Sequence, residues 1–164
     1  MPRRFFRSSS RDNLARKVGA GVAMQRVLVV DDHAAIRRGI QSILGAWPEW
    51  QVSGEGEGAV QLTKDLKPDI VLMDISMSGM GGLEATRAIR KLCPDAKVLL
   101  TLRDSLEWVE TALYAGARGY LLKSDTEGEV VNALKVVAGN GIYASPSLDP
   151  ERVNRIDVQL GLTL

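Results

Sequence analysis

One short stretch of this chain, residues 69–74, constrains the fold more than any other. Its four consecutive apolar residues, Ile70-Val71-Leu72-Met73, are followed directly by a carboxylate, Asp74. An unbroken apolar run is typical of a strand that is covered on both faces, as the strands of parallel sheets are. The Gly- and Ser-rich residues 75–82 then predict a loop. We therefore expect a buried strand whose carboxyl end carries Asp74.

Four further strand-like runs alternate with segments of helical periodicity. The predicted strands are residues 26–30, 51–55, 97–101 and 119–123, and the predicted helices are a segment between His33 and Pro48 and residues 59–66, 83–92, 105–115 and 126–138. Ser105 and Gly116 suit the N-cap and C′ positions of the fourth helix. Because strands and helices alternate five times, the pattern predicts an α/β fold, a parallel sheet with helices on both faces.

Length and charge suggest how the chain is divided. With 164 residues and 45% apolar content, one domain with a full core is expected. Residues 1–25 hold six basic residues and one acidic residue, so we expect a basic, disordered leader, with Met24 as an alternative natural start. The folded domain is predicted over residues 26–140. Residues 141–164 are expected to form a C-terminal tail or a truncated linker.

The composition also excludes several classes of protein. With one cysteine and one histidine, the chain can form neither an internal disulfide nor a cysteine- or histidine-rich metal site. No segment has the roughly 18 apolar residues of a membrane span, and the N-terminus lacks the apolar region of a secretion signal. The net charge of +1 carries no strong nucleic-acid signature. We therefore expect a soluble, cytoplasmic protein.

Polar side chains end four of the predicted strands. Asp31 and Asp32 follow the first strand, Asp74 ends the third, Thr101 the fourth and Lys123 the fifth. The carboxyl ends of parallel strands meet at one edge of the sheet, where ligands bind. Three carboxylates there repel one another, and a hard divalent cation neutralises such a cluster. Since the candidate ligands are oxygens, the sequence predicts Mg²⁺.

This set of side chains suits phosphoryl chemistry. An aspartate can act as a covalent nucleophile toward a phosphoryl group, which makes Asp74 the candidate acceptor. Lys123 can supply a positive charge to one phosphoryl oxygen, and Thr101 can donate a hydrogen bond to another. A bound metal ion neutralises the phosphoryl oxygens during the transfer. The alternative for Asp74, a cap of the following turn, leaves the other strand ends unexplained.

Four motifs contain these strand ends: Val-Val-Asp31-Asp32-His, Ile-Val-Leu-Met-Asp74, Val-Leu-Leu-Thr101 and Ala-Gly-Ala-Arg-Gly-Tyr120-Leu-Leu-Lys123. Together they make residues 26–140 resemble a response regulator receiver domain of two-component signalling. The resemblance implies a flavodoxin-like, doubly wound five-stranded parallel sheet with strand order 2-1-3-4-5. It also implies that a sensor histidine kinase donates the phosphoryl group to Asp74.

The resemblance assigns further roles to residues at the predicted site. It implies that Mg²⁺ is held by Asp31, Asp32, Asp74 and the backbone carbonyl of Ser76. It implies that Thr101 and Tyr120 report phosphorylation by turning toward or away from the site, with Tyr120 three residues before Lys123. A protein of this kind is a phosphorylated signalling switch and not a turnover enzyme.

Two further stretches resemble the NarL/LuxR-type subfamily of transcription regulators. They are Gly-Gly-Leu-Glu-Ala-Thr-Arg and Gly-Ile-Tyr-Ala-Ser-Pro-Ser-Leu. That subfamily usually continues into a helix-turn-helix DNA-binding domain, which we expect to be missing here because the chain stops at Leu164. The chain is then either cut short or acts by protein contacts alone. The resemblance also implies a homodimer through the face built from the fourth and fifth predicted helices and the fifth predicted strand (the α4-β5-α5 face), near residues 105–114 and 126–137.

One position departs from the family, and two alternative functions stay open. The family usually has proline four residues after the acceptor, where this chain has Ser78. His33 is interpreted as a helix-start residue. A scaffold that kept the fold and lost switching is one alternative. An aspartyl phosphohydrolase is the other, although its general acid would stand two residues after the nucleophile, where the chain has Ser76.

Overall fold

The computed structural model of the chain describes residues 23–56, 58–102, 107–125, 127–148 and 151. Several predictions fall outside the described residues. These are the leader up to residue 22, the Ser105 helix cap, the start of the last helix at residue 126, and the tail from residue 149 apart from residue 151.

The described residues contain a six-stranded, wholly parallel sheet in the order β2-β1-β3-β4-β5-β6. The strands are β1 (Gln25–Val30), β2 (Trp50–Gly56), β3 (Ile70–Asp74), β4 (Lys97–Leu102), β5 (Gly119–Leu122) and β6 (Tyr143–Ala144). The predicted α/β class and the predicted order of the first five strands are confirmed. Strand β1 begins at Gln25, one residue inside the predicted leader.

The sixth strand corrects the predicted five-stranded sheet. Tyr143 and Ala144 pair with Gly119 and Tyr120 of β5, so β5 does not form the edge of the sheet. A strand of two residues carries no periodicity, so the sequence pattern assigns residues 143 and 144 to the tail. Leu148 is buried as well and packs in the same core cluster as Tyr120. The predicted tail thus begins with residues that pack on the sheet, and the domain bounds stay a prediction.

Five helices connect the strands in the described part of the chain. They are α1 (Ala34–Gly45), α2 (Ala59–Leu66), α3 (Gly82–Leu92), α4 (Glu107–Ala115) and α5 (Glu127–Ala138). Gly116, directly after α4, has φ +100, which suits the predicted glycine at C′ because glycine lacks the Cβ that penalises this backbone conformation. None of the described helices is long and apolar enough to cross a membrane.

The helices cover both faces of the sheet, which explains the unbroken apolar runs. Val27 and Val29 of β1 lie in one core cluster with residues of α1 and α5. Leu28 and Val30 lie in a second cluster with residues of α2, α3 and α4. Successive side chains of a strand point to opposite faces, so a doubly covered strand is apolar along most of its length. All five residues of β3 are buried, and the single polar residue among them, Asp74, stands at its carboxyl end.

The end of β3 lies unusually close to the start of α3. The amide of Gly82 donates a hydrogen bond to the carbonyl of Ile75 at 3.1 Å. A Cβ added to Gly82 would lie 2.6 Å from the carbonyl oxygen of Asp74 and 2.6 Å from the Cα of Ile75. Only glycine fits this approach without a shift of backbone, and it brings the loop of residues 75–81 back to the strand end.

Candidate functional site

The polar strand ends lie together at the carboxyl edge of the sheet. Asp31 follows β1 directly, and Asp74 is the last residue of β3. Thr101 pairs with Asp74 in the register of β3 and β4, and Lys123 follows β5, its amide bonded to the carbonyl of Leu102 at 2.8 Å. Since β1, β3, β4 and β5 are consecutive neighbours in the sheet, the site spans its centre.

Lys123 forms ion pairs with two of the carboxylates. Its Nζ lies 2.9 Å from Oδ2 of Asp74 and 3.4 Å from Oδ2 of Asp31. The Lys123 side chain is 16% exposed, whereas the carboxylate side chains are 1% and 3% exposed. Charges this far removed from water require a partner of opposite sign, and one lysine serves both carboxylates. The site therefore retains an excess of negative charge.

Asp74 receives further contacts from its own loop. The amide of Ser76 donates a hydrogen bond to Oδ1 of Asp74 at 3.1 Å. The amide of Ile75 donates to the carbonyl of Thr101 at 3.1 Å, which fixes the point where the chain leaves the sheet. The contact from Ser76 is thus made by its amide, and the assignment of its carbonyl as a metal ligand stays a prediction.

His33 contacts both members of the acid pair. It is the N-cap residue of α1, as its interpretation as a helix-start residue predicted. Its amide donates to Oδ1 of Asp31 at 2.8 Å, and its ring Nδ1 lies 3.0 Å from that oxygen and 2.9 Å from Oδ1 of Asp32. The guanidinium of Arg37 donates to the carbonyl of Asp31 at 2.6 Å. These contacts hold the acid pair at the start of α1.

Ser78, in the loop between β3 and α3, contacts Asp32. Its amide and its hydroxyl both donate to Oδ2 of Asp32, at 3.4 Å and 3.2 Å. Burial raises the pKa of the Asp32 carboxyl, but the hydrogen bonds from Ser78 and the charge of nearby His33 outweigh burial. The pKa of Asp32 consequently lies below its ordinary value, because hydrogen bonds to the ionised form favour that form.

The acid cluster has the chemistry of a cation site. Ligand atoms of Asp31, Asp32, His33 and Asp74 lie within 4.8 Å of one another. Two buried oxygens, Oδ1 of Asp32 and Oδ2 of Asp74, lie 2.9 Å from Nδ1 of His33 and from Nζ of Lys123, respectively, but accept no hydrogen bond of good geometry from the residues that the structure describes. A buried carboxylate oxygen without a well-aligned donor is costly, and a cation satisfies such an oxygen directly. The residues present therefore fit a bound divalent metal ion.

Thr101 and Tyr120, the predicted switch residues, are both buried. Thr101 is 7% exposed and Tyr120 is 1% exposed. Tyr120 lies in the third core cluster, whose other buried members are Leu102, Val109, Leu113, Leu122 and Leu148. Its ring is thus enclosed by residues of β4, β5, α4 and the segment after β6. The switching roles of Thr101 and Tyr120 stay predictions.

Two residues, Ser78 and His33, contact the acid pair in ways that no sequence pattern predicts. The bond between Ser78 and Asp32 joins residues 46 positions apart, and no local pattern indicates it. The only available signal was the serine itself, which replaces the proline usual in the resembled family. His33 was recognised as a helix-start residue, but its contact with both carboxylates was not predicted.

Comparison with known proteins identifies the family of this chain. The model of the response regulator receiver domain family matches residues 27–135. The chain therefore belongs to the response regulator receiver domain family, and the resemblance of residues 26–140 to this family is confirmed.

Two curated relatives are transcription or response regulators. Transcriptional regulatory protein DegU of Brevibacillus brevis is 40% identical over 127 residues, which are 75% of this chain and 54% of DegU. Response regulator GacA of Pseudomonas viridiflava is 42% identical over 129 residues, which are 76% of this chain and 60% of GacA. The chain thus spans little more than half the length of these relatives.

Two solved structures have the same fold over most of the described residues. The signal receiver domain of a NarL response regulator from Mycobacterium tuberculosis has a TM-score of 0.67 at 35% identity, over 71% of this chain and 97% of that chain. A LuxR-family response regulator from Aurantimonas sp. SI85-9A1 has a TM-score of 0.71 at 30% identity, over 84% and 99%. The chain therefore has NarL- and LuxR-type neighbours.

Proposed function

We propose that this chain is a phosphorylation-dependent switch in which Asp74 accepts a phosphoryl group from a sensor histidine kinase. The observation that carries the proposal is the position of Lys123 Nζ, 2.9 Å from Oδ2 of Asp74 and 3.4 Å from Oδ2 of Asp31, at a cluster that also contains Asp32. An acceptor carboxylate, a cation for the incoming phosphoryl oxygens and a cluster of metal-ligating oxygens are the parts that phosphoryl transfer requires.

The chain's own residues then act in a defined order. A carboxylate oxygen of Asp74 attacks the phosphorus in line, and the bond from phosphorus to the kinase histidine breaks with its electron pair left on the imidazole. Lys123 moves from pairing with the Asp74 carboxylate to pairing with a phosphoryl oxygen. The Thr101 hydroxyl donates a hydrogen bond to another phosphoryl oxygen.

The proposed cofactor is Mg²⁺, held by Asp31, Asp32, Asp74 and the carbonyl of Ser76. When bound, it neutralises negative charge on the carboxylates and the phosphoryl oxygens. The oxygen-rich ligand set and the two buried oxygens that accept no hydrogen bond of good geometry support this choice over metals that prefer nitrogen or sulfur.

The output of the switch is proposed to be transcriptional. The names of the relatives support placing the chain in a NarL/LuxR-type transcription regulator, over the predicted domain of residues 26–140. Thr101 and Tyr120 are the proposed reporters of phosphorylation, and the proposed partner surface for a second copy is the α4-β5-α5 face. Tyr120 packs against Val109 and Leu113 of α4, which supports a coupling between that residue and this face.

The chain is proposed to be an acceptor and not a turnover enzyme. An aspartyl phosphohydrolase needs a general acid two residues after its nucleophile, and the chain has Ser76 there. Ser76 offers Asp74 an amide donor, and neither an amide N–H nor a serine hydroxyl is acidic enough to replace a carboxylic acid in protonating a leaving group.

Intact-mass spectrometry tests the proposal. The chain is incubated with acetyl phosphate and MgCl₂, and one added phosphoryl group is expected in the wild type. Asp74→Asn should lose the adduct, whereas Asp95→Asn, which alters an exposed aspartate outside the site, should keep it. A folded wild-type protein that forms no adduct would overturn the proposal. Beryllofluoride, a phosphoryl mimic, should in addition shift the oligomeric state measured by light scattering.

A further inference from the structure

The loop between β3 and α3 reaches across the site to the acid pair through Ser78. The amide and the hydroxyl of Ser78 both donate to one oxygen of Asp32, Oδ2, at 3.4 Å and 3.2 Å. Both donors converge on the same oxygen, so the carboxylate is held in one orientation by two bonds. The other oxygen, Oδ1, is buried, and although Nδ1 of His33 lies 2.9 Å away, it accepts no hydrogen bond of good geometry from the described residues.

The same ring nitrogen of His33 lies 3.0 Å from Oδ1 of Asp31, so Oδ1 of Asp32 is on the side of Asp32 that faces Asp31 and the acid cluster. The ligand atoms of the cluster lie within 4.8 Å of one another. Asp32 is the most exposed of the three carboxylates, with a side chain 22% exposed against 3% for Asp31 and 1% for Asp74. A carboxylate with this freedom must lose rotamer entropy when it binds a cation, unless another contact has already fixed it.

We propose that Ser78 is a positioning residue of the cation site, which holds Asp32 so that Oδ1 is available to a divalent, oxygen-preferring metal ion. The inference rests on the proposed metal-binding function of the acid cluster. Groups that bond to the far oxygen of a ligating carboxylate orient it, and their loss typically weakens metal binding by about 10- to 100-fold. Ser78 is exposed, so water can replace part of its effect, and the weakening should be near the low end of that range.

Three substitutions at this position separate the two donors. Ser78→Ala removes the hydroxyl and keeps the amide. Ser78→Pro removes both donors, because proline has no backbone N–H. Ser78→Thr keeps both and serves as the conservative variant. If the Ser78 hydroxyl holds Asp32, the threonine hydroxyl should preserve metal binding. If Ser78 only shapes the loop, the threonine hydroxyl would not restore the binding that Ser78→Ala loses.

The test is a titration of each unphosphorylated full chain with MgCl₂ alone, followed by amide chemical shifts in ¹H–¹⁵N NMR spectra. The spectrum without metal shows whether each variant keeps the wild-type fold. We expect the dissociation constant for Mg²⁺ to rise about tenfold in Ser78→Ala, to rise at least as much in Ser78→Pro, and to stay close to wild type in Ser78→Thr. Ser42→Ala, which removes an exposed hydroxyl on α1, is the matched control and should bind like the wild type.

The outcomes distinguish this inference from the proposed function. If folded Ser78→Ala binds Mg²⁺ as tightly as the wild type, Ser78 does not position Asp32. If Ser78→Thr is as weak as Ser78→Ala, the hydroxyl bond is not the cause, and the inference is equally overturned. Either result leaves the mass-spectrometric test of Asp74 untouched, because the wild type can still accept a phosphoryl group.

Discussion

Nζ of Lys123 lies 2.9 Å from Oδ2 of Asp74, so the end of β5 supplies the counter-charge for the end of β3. The same ammonium lies 3.4 Å from Oδ2 of Asp31. Both carboxylates are buried, so the ionised Asp74 at the end of β3 and the ionised Lys123 after β5 each depend on the charge of the other. At this edge of the sheet, the negative charges of the carboxylates outnumber the positive charge of Lys123. A metal ion can supply the missing positive charge, and Lys123 can then pair with a phosphoryl oxygen in place of a carboxylate.

Replacement of Lys123 by methionine should destabilise the fold and increase its response to metal. Met preserves most of the side-chain length but leaves Asp74 and Asp31 buried without their cation. Breaking a buried pair in this way costs about 3 kcal/mol of unfolding free energy, measured by urea denaturation without metal. A metal ion that binds only the folded state should restore part of this loss. MgCl₂ should therefore raise the melting temperature of Lys123→Met more than that of the wild type.

Lys91→Met, which removes an exposed lysine on α3, is the matched control. Its unfolding free energy should stay within about 0.5 kcal/mol of the wild type, since surface substitutions away from special features have small effects. Equal losses in the two variants would show that the pairing of Lys123 with the carboxylates does not stabilise the fold.

Replacement of Gly82 by alanine should disturb the end of β3. The added Cβ would lie 2.6 Å from the carbonyl oxygen of Asp74, so backbone must shift to admit it. We expect a loss of about 1–3 kcal/mol in unfolding free energy, as for other overpacked positions. Gly39→Ala is the control, because a Cβ there meets nothing within 4 Å and alanine favours the interior of α1. A stabilised Gly82→Ala protein would contradict the close approach of α3 to β3.

Replacement of Tyr143 by phenylalanine should flatten the loss of stability at high pH. Burial raises the pKa of the Tyr143 phenol above its ordinary value, and the hydrogen bond to Glu129 with the charges of Glu129 and Asp125 raises it further. A raised pKa in the folded state means that the neutral phenol contributes stability fully below about pH 10, the pKa in the unfolded chain, and that this contribution is lost as the pH rises further.

Urea denaturation at about pH 8 and about pH 10.5 measures this effect. The unfolding free energy of the wild type should fall more between the two values than that of Tyr143→Phe. The comparison at the lower pH is the internal control, because it gives the constant cost of the lost hydrogen bond to Glu129. Parallel losses in both proteins would indicate that the Tyr143 phenol is not held neutral by its surroundings.

The fold was predictable because its signals are local. The apolar run of β3 can be recognised as a strand from its own residues, and so can the matching runs of β1 and β4. These runs are unbroken because each strand is buried on both faces. Strand β6 was missed for the opposite reason. Its two residues, Tyr143–Ala144, are held by their pairing with β5 and not by any pattern of their own.

The strand pattern is enough to predict that Asp31, Asp32, Asp74, Thr101 and Lys123 lie at one edge of the sheet, because parallel topology aligns all carboxyl ends. How those side chains share their contacts follows from the packing of the folded chain. Lys123 serves two carboxylates, and Ser78 holds the far oxygen of Asp32 across 46 positions of sequence. Such contacts depend on distances of a few ångströms between separate loops. Residue types and spacing do not encode these distances, because each loop is positioned by the packing of the whole sheet and its helices.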